Sequence, residues 1–278
     1  MSTAPTAVPV PVPDAPAFRG RVTQTRVLRS EWLKLTTIRS TYIAAALTLV
    51  MMIGLAMLAC WGQSNAYAKM SADLKANWDP GGWSQLGFTF AHLAIGILGV
   101  LTVTAEYSSG MIRATLGAVP RRWPVLEAKA VVFGATALVL SVVGSFAAFY
   151  AGQAMFAGRH LGTTLSAPGV LREVLGTALY VTLVGLFGVA LGAVLRSTPG
   201  AISALVGIIT ILPLTARGLP QNWYDDIALY LPSNAGTDIT RLHHTPHTLY
   251  PWPGLGLFAL YVAGTFAVAA VLLKKRDA

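Results

Sequence analysis

Six apolar runs divide this chain and leave few choices of fold: Thr41–Trp61, Leu86–Ala105, Ala130–Ala151, Val174–Leu195, Ala201–Thr215 and Gly254–Leu273. About 20 apolar residues cross the hydrocarbon core of a bilayer as a helix. All but Ala201–Thr215 reach that length. This shorter run carries Pro213 near its end, and an irregular stretch is expected to continue it. Backbone N–H and C=O groups find no water in lipid, so only helices and closed barrels span it. Alternating strand patterns are absent, which predicts an all-α integral membrane protein with six transmembrane helices. Composition agrees: the chain is 54% hydrophobic and 11% charged, against about 25% charged residues in soluble domains. The length suits one membrane domain, residues 18–278. A proline-rich tail, 1–17, precedes it and is expected to be extended or disordered.

The net charge of +9 invites a nucleic-acid partner until the cations are placed along the chain. With the N-terminus inside, fourteen of the twenty Lys and Arg fall on segments of one side, and six fall on the other. Cytoplasmic segments of membrane proteins carry such an excess. The charge is therefore a topology signal, and no nucleic acid is expected. Both termini and Glu106–Lys129 are expected in the cytosol, with Arg217–Pro253 outside, in a multi-pass plasma-membrane protein.

Three polar or amphipathic stretches carry the remaining information. The first is EYSSGMIRATLGAVPRRWPVLEAK, Glu106–Lys129. Ser108 and Ser109 are expected to cap a short helix. Tyr107, Met111, Ile112, Thr115 and Leu116 recur at helical spacing. Val119-Pro120 stops the helix, and Arg121 and Arg122 follow where a helix C-terminus favours cations. By residues alone, this is either a docking surface or a solvated loop that sets orientation.

The second stretch, Phe18–Arg39, places Leu28, Trp32 and Leu35 on one helical stripe, with Arg26, Ser30 and Lys34 opposite. A basic amphipathic helix with a tryptophan suits the membrane interface. In the third, Trp223, Ile227, Tyr230 and Leu231 share a face opposite Asp225, and Pro232 ends the run. It reads as an amphipathic helix on the outer leaflet, or as a loop with scattered aromatics.

A glutamate leaving the second span, then Y-S-S-G-M-I-R-A-T-L and V-P-R-R, resembles the cytosolic loop of type-2 ABC exporter permeases. S-E-W-L-K-L-T-T-I-R-S resembles the elbow helix before the first span of that family. The resemblance implies a coupling helix between spans 2 and 3 that docks on a separate ABC ATPase subunit. Its residues would be Glu106, Tyr107, Met111, Ile112, Thr115, Leu116, Arg121 and Arg122. It also implies an interfacial elbow helix at Leu28, Trp32 and Leu35. Short amphipathic or re-entrant helices at Trp223, Ile227, Tyr230 and Leu231 would close the outer mouth before span 6. The implied function is the permease subunit of an exporter, paired with a second copy or a similar permease and surrounded by membrane lipid. ATP and Mg would sit on the partner. The apolar spans suit an amphiphilic or lipid-like cargo. The alternative is a non-transporting membrane scaffold or sensor that docks a cytosolic partner through 106–129. Abundant Ala, Gly, Val and Pro with few Lys suggest a high-GC bacterial genome.

Other chemistry is missing from the sequence. There is no G-x-x-x-x-G-K-[ST] to cradle phosphates, and no H-E-x-x-H or G-x-S-x-G. Neither a bound cofactor nor an enzymatic activity of this chain is expected. No charged residue occupies the middle of a span; Glu106 and Glu173 stand at ends, and His92 is the only ionisable ring. Ion-coupled carriers keep buried ionisable groups for function, so that class is disfavoured. His243, His244 and His247 have metal-like spacing, but Pro246 interrupts the helix they would need and no Cys or carboxylate cluster completes the set. No metal is expected. Cys60 is the single cysteine. Gly188 and Gly192 form a G-x-x-x-G, read as a close helix contact or as internal packing.

Overall fold

The computed structural model describes residues 23–118, 123–242 and 248–275. The proline-rich tail, Arg121, Arg122 and the three histidines at 243, 244 and 247 lie outside the described residues. Among those described, all regular structure is helical. In chain order the helices are α1 (Gln24–Thr37), α2 (Arg39–Ala66), α3 (Ala72–Ala76), α4 (Pro80–Gln85), α5 (Phe88–Ser108), α6 (Met111–Ala118) and α7 (Trp123–Ala157). They continue with α8 (Val170–Leu195), α9 (Thr198–Val206), a π-helical turn (Gly207–Ile211), α10 (Leu212–Ala216), α11 (Gln221–Ile227), α12 (Pro232–Thr237) and α13 (Pro251–Lys275).

Six helical stretches are long and apolar enough to cross a membrane: Arg39–Lys69, Pro80–Ser108, Trp123–Ala157, Val170–Leu195, Thr198–Ala216 and Pro251–Lys275. The chain is a multi-pass membrane protein. The six apolar runs are thus found, but the helices run past them. The third span has 35 residues, a rod about 52 Å long at 1.5 Å per residue, longer than a hydrocarbon core of about 30 Å. The added turns carry polar residues, so hydropathy no longer marks them as helix.

α8 lies at the centre of the bundle. Of its most apolar stretch 72% is buried, against 22% in the first, fifth and sixth spans. It packs most closely on α5, and glycines set the distance. A Cβ on Gly188 would strike the Gly96 carbonyl, and one on Gly99 would strike the Gly185 carbonyl. On Gly192 it would lie 3.0 Å from the Val100 carbonyl. Small residues let membrane helices approach backbone to backbone. The G-x-x-x-G of α8 therefore serves packing inside one chain. Around this pair the core gathers Ile95, Phe133, Tyr180, Val184, Phe187, Leu205 and Phe258. Outward apolar side chains such as Val50, Val139 and Leu260 are more than 60% exposed, as befits a surface solvated by lipid tails.

Between the first two spans, W-D-P-G-G-W forms the start of a helix. Asp79 accepts a hydrogen bond from Gly82 N at 2.9 Å, Pro80 occupies the first helical turn, and the resulting α4 buries Pro80, Gly81, Ser84 and Gln85. Asp capping with proline at the first position is a helix start, because neither wastes a backbone donor. Trp78 is held by its indole, which donates to the Leu161 carbonyl at 2.9 Å. The fifth span, expected to be continued by an irregular stretch near Pro213, is helical across that residue. It continues through a π-helical turn, which relieves the missing N–H and the steric demand of the proline ring on the preceding turn.

Candidate functional site

At the end of the bundle that carries both ends of the described chain, four charged side chains meet beneath the surface. Glu31 comes from α1, as does Lys34; Glu106 leaves α5, and Lys129 enters α7. The Lys129 ammonium donates to Glu31 Oε2 at 2.6 Å, to Glu106 Oε1 at 2.5 Å and to the Thr102 carbonyl at 3.2 Å. Lys34 donates to Glu31 Oε1 at 2.7 Å and to Glu106 Oε1 at 2.9 Å. The side chains of Glu31, Glu106 and Lys129 are 5% exposed or less, and that of Lys34 is 24% exposed. The junction is electrically balanced. A buried charge is costly unless it is paired, and here each ammonium bridges both carboxylates. Burial acts to lower the pKa of Lys34, yet the hydrogen bonds and charges of Glu31 and Glu106 outweigh it and hold the ammonium above its ordinary value.

This junction ties the amphipathic α1 to the second and third spans at the root of α6. Gly110, at φ +72°, turns the chain out of α5, a conformation that costs glycine nothing. Ser108 and Ser109 do not cap α6: both donate back to the Ala105 carbonyl, at 3.1 and 2.8 Å, and so finish α5 instead. Ile112 is buried in a small apolar cluster with Val27, Val125 and Ala128, against which Leu28 and Tyr107 pack. Tyr107 also receives the Arg196 guanidinium over its ring at 5.2 Å. Met111 points the other way, 43% exposed, beside a cavity of about 470 Å³ that Glu31, Lys34, Leu35, Thr102 and Lys129 also line. Thr115 is half-buried. The side chain of Leu116, like Arg121 and Arg122, is outside the described residues.

The helical stripe expected for α1 is rotated. The helix buries Val27, Glu31 and Leu35, while Leu28 is half-buried and Trp32 is 51% exposed. Lys34, expected on the far face, turns inward. Leu28, Trp32 and Leu35 fit one side of a wheel, but so do Val27, Glu31 and Leu35. The partner of Glu31 on α7, Lys129, decides between them. Glu31 and Lys129 were thus missed by sequence reasoning; the available signal was a Glu-x-x-Lys pair in α1 and a lysine entering a long apolar run.

At the opposite end, α11 carries Trp223 and Ile227, and a 3₁₀ turn carries Tyr230; these are 59%, 45% and 56% exposed. Leu231 is half-buried. Pro232 ends this run and also opens α12, whose Gly236 packs on the rings of Tyr180 and Phe258. Glu173, read as a helix-end residue, is fully buried in the first turn of α8, where a Cβ on Gly81 would collide with its carboxylate. No group of His, Cys, Asp and Glu suited to a metal occurs among the described residues. Neither a family model nor a curated protein matches the chain.

Proposed function

We propose that this chain is the membrane-spanning permease subunit of an ATP-driven exporter of amphiphilic cargo in the bacterial plasma membrane. In this reading both termini and α6 face the cytosol, and two permeases form the transport unit. A separate ABC ATPase binds ATP and Mg and docks on α6. The observation that carries the proposal is the mounting of α6. Ile112 keys the helix into the bundle, Met111 is left exposed, and the stalk on either side is fixed by the Glu31–Lys34–Glu106–Lys129 junction. An apolar side chain held outward on a rigid mount suits a groove on a partner. A push on α6 would pass to two spans and to α1 together.

The test is Met111→Asp in the tagged full chain, purified from its own membranes into lipid. A charge at this position would be costly in an apolar contact. The expected result is normal insertion and unchanged oligomeric state, with loss of the co-purifying ABC ATPase and of cargo-stimulated ATP hydrolysis. A variant that keeps both activities refutes docking through α6. If the wild type co-purifies with no ATPase, the permease reading fails as well.

A further inference from the structure

A second cavity, of about 420 Å³, lies at the end of the bundle away from α6. Its walls come from the start of α5, from α8, from the π-helical turn with α10, and from α12. Three polar groups on it lack a hydrogen-bond partner: one ring nitrogen of His92, whose other turns back toward the Phe88 carbonyl, the Tyr180 hydroxyl and the Ser233 hydroxyl. These residues are 7%, 0% and 6% exposed, so each side chain is more than nine-tenths buried. Orphaned buried polar groups are rare in folded proteins because each forfeits its bonds to water. Phenylalanine at 180 and alanine at 233 would fill the same space without that penalty. Three such groups around one cavity are most simply explained by an occupant that pairs with them.

The remaining lining fixes the chemistry of the occupant. Arg217 and Arg241 stand exposed at the rim. Asp238 lies 3.6 Å from Arg241, whereas Arg217 has no ion pair among the described residues. No carboxylate lines the cavity among the described residues. Hydroxyl donors inside and an unpaired guanidinium at the mouth match phosphate oxygens, which Arg recognises through charge-assisted hydrogen bonds. Beside the cavity, Ile211 and Leu214 are 52% and 61% exposed, an apolar track for a hydrocarbon chain. The π-helical turn places Ile209 and Thr210 on the cavity, and such turns occur often at functional sites.

We propose that this cavity binds the phosphate headgroup of an amphiphile, with Arg217 holding the anion and the Tyr180 and Ser233 hydroxyls donating to its oxygens. The site deepens the permease reading by giving the lipid-like cargo a headgroup. Binding itself requires no ATPase, so its test stands or falls separately. The two sources of such a ligand are a phospholipid of the surrounding bilayer and a diffusible phosphate amphiphile.

The experiment titrates the full chain in a neutral detergent with dodecyl phosphate, and with dodecanol for comparison. Dodecyl phosphate is expected to bind saturably and at least about ten-fold more tightly than dodecanol, given the worth of hydrogen bonds to charged groups. Arg217→Gln should weaken it about ten-fold or more, and Tyr180→Phe roughly three- to ten-fold. Tyr180→Phe should leave the unfolding temperature of the unliganded protein unchanged or raised, because the orphaned hydroxyl is gone. Arg159→Gln, outside the cavity, should bind as the wild type does. In nanodiscs, competition by phosphatidylglycerol but not phosphatidylcholine would identify bilayer lipid as the occupant. Undiminished dodecyl phosphate binding there would identify a diffusible amphiphile. Equal affinity for dodecyl phosphate and dodecanol overturns the proposal, as does wild-type affinity in both Arg217→Gln and Tyr180→Phe.

Discussion

Lys129→Met tests the junction at the root of α6 most directly, because methionine keeps a similar unbranched shape and removes the ammonium, its charge and its donors together. Lys129 donates three hydrogen bonds, two of them to carboxylates at 2.6 and 2.5 Å, from a side chain 5% exposed. Without it, Glu31 and Glu106 must share Lys34 alone, and a balanced cluster acquires a net charge of one. Removing one member of a buried ion pair costs about 3–5 kcal/mol, chiefly because the other charge is left uncompensated. At about 2–4 °C per kcal/mol for chains of this size, the unfolding temperature should fall by about 6–20 °C. Adding Glu106→Gln restores neutrality, and replacing a complete buried pair is often close to neutral. The double variant should therefore recover at least half of the loss. Thermal unfolding followed by tryptophan fluorescence in neutral detergent measures all three proteins. If Lys129→Met unfolds within about 2 °C of the wild type, the junction is effectively solvated. Its role in stiffening the α6 mount would then be wrong.

Two further outcomes follow from the same structure. Lys34 has a raised pKa in the fold, so its contribution is fully present below its ordinary value of 10.5 and is lost as pH climbs through the raised one. The difference in unfolding temperature between wild type and Lys34→Met should stay constant from neutral pH until that alkaline range and shrink above it; a difference that shrinks near pH 7 would contradict this. Gly99→Val would drive a side chain into the Gly185 carbonyl, an overpacking that costs about 1–3 kcal/mol or more. Size-exclusion chromatography should show less monodisperse protein than for Gly256→Val, where nothing lies within 4 Å of the added carbon.

The spans were legible because lipid imposes one rule on every backbone group, and hydropathy records it directly. Their ends were not, since Pro80–Gln85 and Trp123–Lys129 lie where water, lipid and protein all contribute partners. The α6 helix was anticipated from the spacing of Met111, Ile112 and Thr115. Its N-terminus was misread because Ser109 had an alternative acceptor, the Ala105 carbonyl, that sequence spacing does not rank. The charged junction depended on a rotation of α1 that only its neighbours could choose: Glu31 and Lys129 are 98 residues apart. His92 could be noticed as the one histidine within the six apolar runs. Its company with Tyr180 and Ser233 is a product of tertiary packing.

The length of α7 has a mechanical consequence. One end is fastened by Lys129 to α1 and α5. Toward the other, Gln153 donates to the Pro80 carbonyl at 3.0 Å and to Ser84 Oγ at 2.8 Å, and Ser145 donates to Gln85 at 2.8 Å. Between these fastenings the helix runs unbroken. Pivoted at its middle, a rod about 52 Å long that tilts by about 5° moves each tip by about 2 Å, in opposite directions. Hydrogen bonds weaken steeply over such a displacement. The two clasps therefore cannot be loosened independently: a rocker of this kind strains the latch on one side of the bilayer whenever the other is worked.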